Sequence, residues 1–217
     1  MDGRQKDSYM HTTRILCAVL GHDNVTPALV AHLDPLLTLG FPDGVLASGA
    51  GRTIRLAAAN DKAALRGMAR LPGDATGPMV MPTVPCPGCL HVVMTEGEKI
   101  IGDMVGHGAL KGRASTNIQF WLDNAFVEPD VRRQGVGRAM GHAVLSLVER
   151  IREEMGLLRL GHPAGMAVVS GEADHASAGE NLIFDMDMHA SLLSDATQDR
   201  FAATRPAADT DTPAPGL

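Results

Sequence analysis

The 217-residue sequence predicts an α/β (α+β) fold. Three observations predict it. Leu90–Thr95 and Lys99–Gly106 are strand-like runs on either side of Glu96–Gly97–Glu98, which reads as a hairpin turn with glycine inside. Ile118–Val127 is a further apolar strand-like run. It leads through a glycine-bearing turn into Val136–Met155, where Val136, Met140, Ala143, Val144, Leu147, Val148, Ile151 and Met155 recur at three- and four-residue steps. That recurrence is the period of an amphipathic helix, and it leaves Glu149, Arg150, Arg152, Glu153 and Glu154 mostly on the other face.

The remaining elements follow in order. Residues 1–11 are polar and read as loose, and Arg14–Leu20 reads as a short β-like run. Pro27–Leu39 reads as a helix bent near Pro35, and Gly40–Gly51 as a Gly- and Pro-bearing linker. Thr53–Ala57 is a strand, and Asn60 or Asp61 is a suitable N-cap for a helix through about Arg70. Leu71–Gly88 is a Pro/Gly-rich loop. After the long helix, Met166–Ser170 reads as a strand, Ala176–Asn181 as a short helix and Leu182–His189 as a last strand. The chain thus divides into an extension over 1–51, a main domain over 52–192 and a tail over 193–217. Residues 195–217 are rich in Ala, Asp, Thr and Pro and are expected to be disordered.

Composition excludes several classes. The net charge of −6 argues against general nucleic-acid binding by bulk electrostatics. No run approaches the length of a membrane-spanning helix, and residues 1–11 are too polar for a signal peptide's apolar core, so no membrane partner and a cytoplasmic location are expected. Aromatic residues make up only 3%, so aliphatic side chains and the 12 methionines must fill the core. Cys86 and Cys89 form a C-P-G-C unit with His91 close behind. It reads as a Pro/Gly loop that holds thiols, and no metal is expected. The alternatives are a metal site completed only through the fold, by His107 or His22, and a redox pair.

The most informative segment is Val127–Glu128–Pro129–Asp130–Val131–Arg132–Arg133–Gln134–Gly135–Val136–Gly137–Arg138. A helix N-terminus offers N–H groups without intrahelical acceptors and a partial positive charge, so it suits an anion. Gly135 and Gly137 keep side chains away from the backbone, and Arg132, Arg133 and Arg138 can add charge-assisted hydrogen bonds. Spacing decides which phosphate cradle this is. No Lys–Ser/Thr pair follows the glycines, as a P-loop requires. The third glycine of the dinucleotide fingerprint would fall on Met140.

What fits is Arg132-x-x-Gly135-x-Gly137 preceded by Val127-x-Pro129. The segment resembles the acyl-CoA-binding motif of the GNAT superfamily of N-acyltransferases, V-x-P-x-x-R-x-Q-G-x-G, at Val127, Pro129, Arg132, Gln134, Gly135 and Gly137. The resemblance implies a GNAT-like mixed, mostly antiparallel twisted sheet flanked by helices, with acetyl-CoA as co-substrate. It implies that the pantetheine arm pairs with strand backbone near Phe126 and Val127. The pyrophosphate would then rest on the amides of Arg132, Arg133, Gln134, Gly135, Val136, Gly137 and Arg138. The implied reaction moves acetyl to a primary amine on a small molecule or protein acceptor. A homodimer is also compatible.

Acyl transfer to an amine needs a base for the amine, and the family often places a carboxylate on the strand before the cradle. Asp123 is the candidate, alternating with Trp121 and Ala125 on one strand face, with His107 and Glu128 as further candidates and Asp103 beside them. One departure stands out. Many family members carry a tyrosine on a later helix as the acid for the leaving thiolate, but the one tyrosine here is Tyr9, and Asp174–Phe184 lacks the family's pattern. Either His175, Ser177 or water substitutes, or the thiolate leaves unaided. A non-catalytic acyl-CoA-binding or interaction protein on the same fold is therefore the alternative.

Overall fold

The strand-like runs around Glu96–Gly97–Glu98 pair as their alternation requires. In the computed structural model, which describes residues 3–58, 61, 88–110, 117–159, 168–171 and 178–204, they are β3 (Leu90–Glu96) and β4 (Lys99–Leu110). The sheet has six strands in sequence order: β1 (Val45–Gly49), β2 (Arg52–Leu56), β3, β4, β5 (Ile118–Val127) and β6 (Val168–Gly171). The first four ladders are antiparallel and the last, β5 with β6, is parallel. This is the mixed, mostly antiparallel sheet of the expected fold class.

Among the described residues, four α-helices accompany it: α1 (Gly3–Leu20), α2 (Pro27–Gly40), α3 (Val136–Arg159) and α4 (Ala178–Thr204). Two glycines of β4 show where they pack. A Cβ on Gly108 would stand 2.3 Å from the Val19 carbonyl oxygen of α1, and one on Gly102 would stand 2.9 Å from Met140 and Val136 of α3. Only glycine permits these approaches. Since 102 and 108 share a face of the strand, α1 and α3 cover the same side of the sheet. All eight residues of the α3 stripe are buried there.

Several expected elements are corrected. Residues 1–11 and the β-like run Arg14–Leu20 are one helix from Gly3 onward. Ile15 to Leu20 are buried at every position, so the run carries no amphipathic period and resembles a buried strand in sequence. The Gly40–Gly51 linker contains β1, hairpinned to β2 through Ala50–Gly51 with Gly49 opposite Arg52. The short helix and last strand over 176–189 are instead the single helix α4, which runs into the expected tail as far as Thr204. Ser194 and Thr197 are fully buried, so this part of the tail belongs to the fold. On α3, Glu149, Arg152 and Glu154 are buried rather than solvated, with Arg152 donating to Glu149 at 2.6 and 2.8 Å.

Other expectations hold. Pro27–Leu39 is helical with Pro35 inside and Thr26 as its side-chain cap. The strands expected at Thr53–Ala57 and Met166–Ser170 appear as β2 and β6. Asp61 is described, but the helix expected after it, most of Leu71–Gly88 and the last residues of the tail lie outside the described residues. Among the described residues, no helix is long and apolar enough to cross a membrane.

Candidate active site

β5 carries the site because its two edges are treated differently. On one side it pairs with β4 along its whole length, from Leu110↔Ile118 to Gly102↔Val127. On the other, parallel pairing with β6 runs only from Gln119↔Val168 to Leu122↔Gly171. No described strand continues that ladder beside Asp123–Val127. This stretch leads directly into the turn that starts α3.

The turn is shaped by backbone. Glu128 N–H donates to the Ile101 carbonyl at 3.0 Å, anchoring the strand's exit, and Pro129–Val131 form a short 3-10 turn. Arg133 and Gly135 both take positive φ, 64° and 78°. The Gly135 carbonyl accepts from Ala139 N–H at 2.9 Å, so Gly135 caps α3, and the amides of Val136, Gly137 and Arg138 precede the first intrahelical donor, Ala139 N–H. A Cβ on Gly135 would meet nothing within 4 Å, which leaves its backbone open to a ligand. Gly137 differs, because its Cβ position faces Leu182 of α4 at 3.6 Å and Val127 at 3.9 Å.

The side chains of this segment have particular engagements. Arg132 Nε donates to the Val127 carbonyl at 3.0 Å, and its guanidinium lies 5.9 Å over the Phe126 ring. Arg138 pairs with Asp185 of α4 at 3.0 Å. Gln134 accepts from Arg52 of β2 at 2.8 Å, and Arg52 also pairs with Glu96. Arg52 is a basic group beside the turn that no local motif flags, since 82 residues separate it from Gln134. Arg133 is exposed at the turn's tip.

The candidate base sits at a bulge. Val105 lies opposite Asn124 and Gly106 opposite Leu122, so Asp123 is the extra residue on β5. The bulge breaks the expected alternation with Ala125. Ala125 and Val127 pack toward the main core, while Phe126 joins Val93, Ile100 and Ala57 on the opposite face. Asp123 itself stays on the Trp121 face and reaches His107, whose Nδ1 is 2.8 Å from Asp123 Oδ2. His107 in turn stacks on Trp121, its cross-strand partner, with ring centroids 5.1 Å apart. Both members of the pair remain partly open to solvent.

Further polar groups line this face of the sheet. His91 Nε2 is 3.1 Å from Asp103 Oδ2, and Asp103 is fully buried with Oδ1 lacking a hydrogen-bond partner. Arg55 makes a bidentate contact to Asp61 at 2.6 and 2.8 Å. The Arg55 hydrogen bond, aided by the Ala58 amide, holds the Asp61 carboxyl below the usual carboxylate range against the opposing effect of burial. Cys89, just ahead of β3, completes a group with His107 and Asp123 whose ligand atoms all lie within 4.8 Å of one another. Of the sequence candidates, the fold brings Asp123 and His107 together. It places Glu128 separately, at the strand's exit.

No family model matches the sequence, and no curated protein matches it. Solved structures do show similarity. The chain is similar to the ribosomal-protein-S18-alanine N-acetyltransferase from Escherichia coli at 18% identity and a TM-score of 0.42, over 62% of this chain and 74% of that one. It is similar to the ribosomal-protein-alanine N-acetyltransferase from Brucella melitensis biovar Abortus 2308 at 12% identity and a TM-score of 0.42, over 76% and 97%. An aminoglycoside acetyltransferase from an uncultured soil metagenomic sample is similar at 15% identity and a TM-score of 0.36, over 77% and 95%. These partial overlaps leave the functional reading to rest on this chain's own turn, strand edge and paired side chains.

Proposed function

We propose that the protein is an acyl-CoA-dependent N-acetyltransferase that moves an acetyl group from acetyl-CoA to a primary amine. The observation that carries this reading is the open Gly135 cap of α3 at the end of a strand whose last five residues run beyond the described part of its parallel neighbour. The cap offers the Val136, Gly137 and Arg138 amides to a pyrophosphate. The edge of Asp123–Val127 offers backbone groups to an extended, amide-rich arm such as pantetheine. Arg133 at the exposed tip adds charge for the phosphates.

The chemistry then falls near Asp123, just past the last described pairing of β5 with β6. With Nδ1 donating to Asp123, the other ring nitrogen of His107 accepts a proton from the incoming ammonium group. Asp123 orients the ring and stabilises the imidazolium, while Trp121 fixes its plane. The freed amine attacks the thioester carbonyl, and as the adduct collapses to the amide its nitrogen gives its extra proton to the departing sulfur, so that CoA leaves as the thiol. A thiol ionises at modest pH, so the leaving group needs little help, which accommodates the absence of the family's tyrosine. Tyr9 does not fill that role, because it packs against the core from α1.

Calorimetric titration with acetyl-CoA tests donor binding, and release of free CoA across a panel of small amines and peptides tests transfer. Binding without release for any amine would reduce the protein to an acyl-CoA binder.

A further inference from the structure

Among the described residues, only Cys89, His107 and Asp123 bring three metal-ligating atoms together, all within 4.8 Å of one another. We propose that they form a binding site for a divalent transition metal of the zinc class. Three separate features of the fold build it. Cys89 precedes β3, His107 projects from β4 and Asp123 projects from β5 at the bulge. One face of three neighbouring strands thus supplies sulfur, nitrogen and oxygen.

The donor set selects the metal. Thiolate and imidazole suit zinc, cobalt or copper, whereas calcium and magnesium require oxygen donors throughout. Small side-chain adjustments bring atoms at these separations to the ~2.0–2.3 Å that zinc requires. Three protein ligands leave a fourth position for water, and the partial exposure of His107 and Asp123 gives an entry path. Trp121, stacked on the imidazole, limits the ring's freedom. His22 Nε2 lies 3.7 Å from where a Cβ on Gly88 would stand, so a second imidazole borders the turn without joining the group. The C-x-x-C unit, which the acyl-transfer reading leaves without a role, thereby acquires one through Cys89.

A bound cation takes the imidazole lone pair and the carboxylate charge that proton transfer uses. Loading therefore silences acetyl transfer, and a chelator restores it. That consequence rests on the functional reading above, whereas the site itself does not.

The test is cobalt titration of the full chain after treatment with a chelator. Tetrahedral cobalt with one thiolate ligand gives visible d–d bands and a near-ultraviolet sulfur-to-cobalt band. Both are expected, with the sulfur band lost in Cys89→Ala and kept in Cys17→Ala and Cys86→Ala. Asp123→Asn and His107→Gln should each weaken the d–d bands. Inhibition of transfer by zinc, expected in the parent chain, should be lost in Cys89→Ala. Gly135→Val, which disrupts the CoA cradle, should leave the cobalt spectrum unchanged, so failure of CoA binding and failure of metal binding are read separately. No sulfur band in the parent chain, or a band that survives Cys89→Ala, would overturn the proposal.

Discussion

Asp123 Oδ2 sits 2.8 Å from His107 Nδ1 at the point where β5 carries one residue more than β4. Asp123 shares the sheet face of Trp121, the cross-strand partner of His107, and the bulge changes the face only of the residues that follow it. If the pair works as a base, Asp123→Asn and His107→Gln should each lower kcat roughly a hundred- to ten-thousand-fold while acetyl-CoA affinity changes little. Steady-state kinetics with a transferable amine, beside calorimetry, gives the comparison. Loss of CoA binding in step with kcat would assign the pair a structural role instead.

The close approach of α1 to β4 makes a second prediction. Gly108 has the Val19 backbone where its Cβ would be, so relief requires movement of the helix itself. Gly108→Ala should cost about 1–3 kcal/mol in urea unfolding. Gly40→Ala, with nothing within 4 Å of its Cβ position, serves as the contrasting variant and should be nearly neutral.

Arg152 is fully buried in α3 and is held by Glu149. Removing the carboxylate leaves the guanidinium short of its counter-charge, so Glu149→Ala should destabilise by up to about 3–5 kcal/mol. The same truncation at Glu98, in the β3–β4 turn, should change stability by less than about 0.5 kcal/mol. Equal losses would show that Arg152 is compensated by its other contacts.

Stability should fall on mild acidification. Burial pushes the His189 pKa below its ordinary 6.5, helped by the stacked His142 and opposed by Asp185. Burial does the same to His11, helped by Arg14 and opposed by Asp34. A folded state that holds these rings neutral binds fewer protons than the unfolded chain. Their contribution is therefore fully present above the unfolded pKa and is lost as pH drops from about 6.5 through the folded values. Urea midpoints across that window should decline, and His189→Gln should flatten the decline. A midpoint that rises with acid would reverse the sign of this argument.

How much of this was legible in the sequence depended on whether a residue's neighbours lie close along the chain. α3 and the first half of β5 read correctly because one face of each is buried, which writes a period of 3.6 or 2 into the sequence, while β3 and β4, buried on both faces over much of their length, read from the Glu96–Gly97–Glu98 turn between them. α1 and α4 did not. Ile15 to Leu20 are buried all round, and α4 exposes Phe184, Met188 and Leu192 while burying Met186 and Ala190, so neither shows a clean stripe. At the site, the glycine turn was visible as a motif. Asp123 pairs with His107 across two strands, and Arg52 reaches Gln134 across the end of the sheet. No local pattern encodes either contact. The loss of alternation at Asp123 is also why Ala125 was expected on the wrong face.

The central claim is that the Gly135 cap of α3 holds the phosphates of acyl-CoA. Gly135 has φ 78° and open space around its Cβ position, so Gly135→Val strains the turn and blocks the amides without striking any other part of the fold. The direct measurement is calorimetric titration of acetyl-CoA into the parent chain and into Gly135→Val, with helicity checked by circular dichroism. The account predicts saturable binding by the parent and none by the variant at unchanged helicity. Absence of binding by the parent, or equal binding by both, would contradict it.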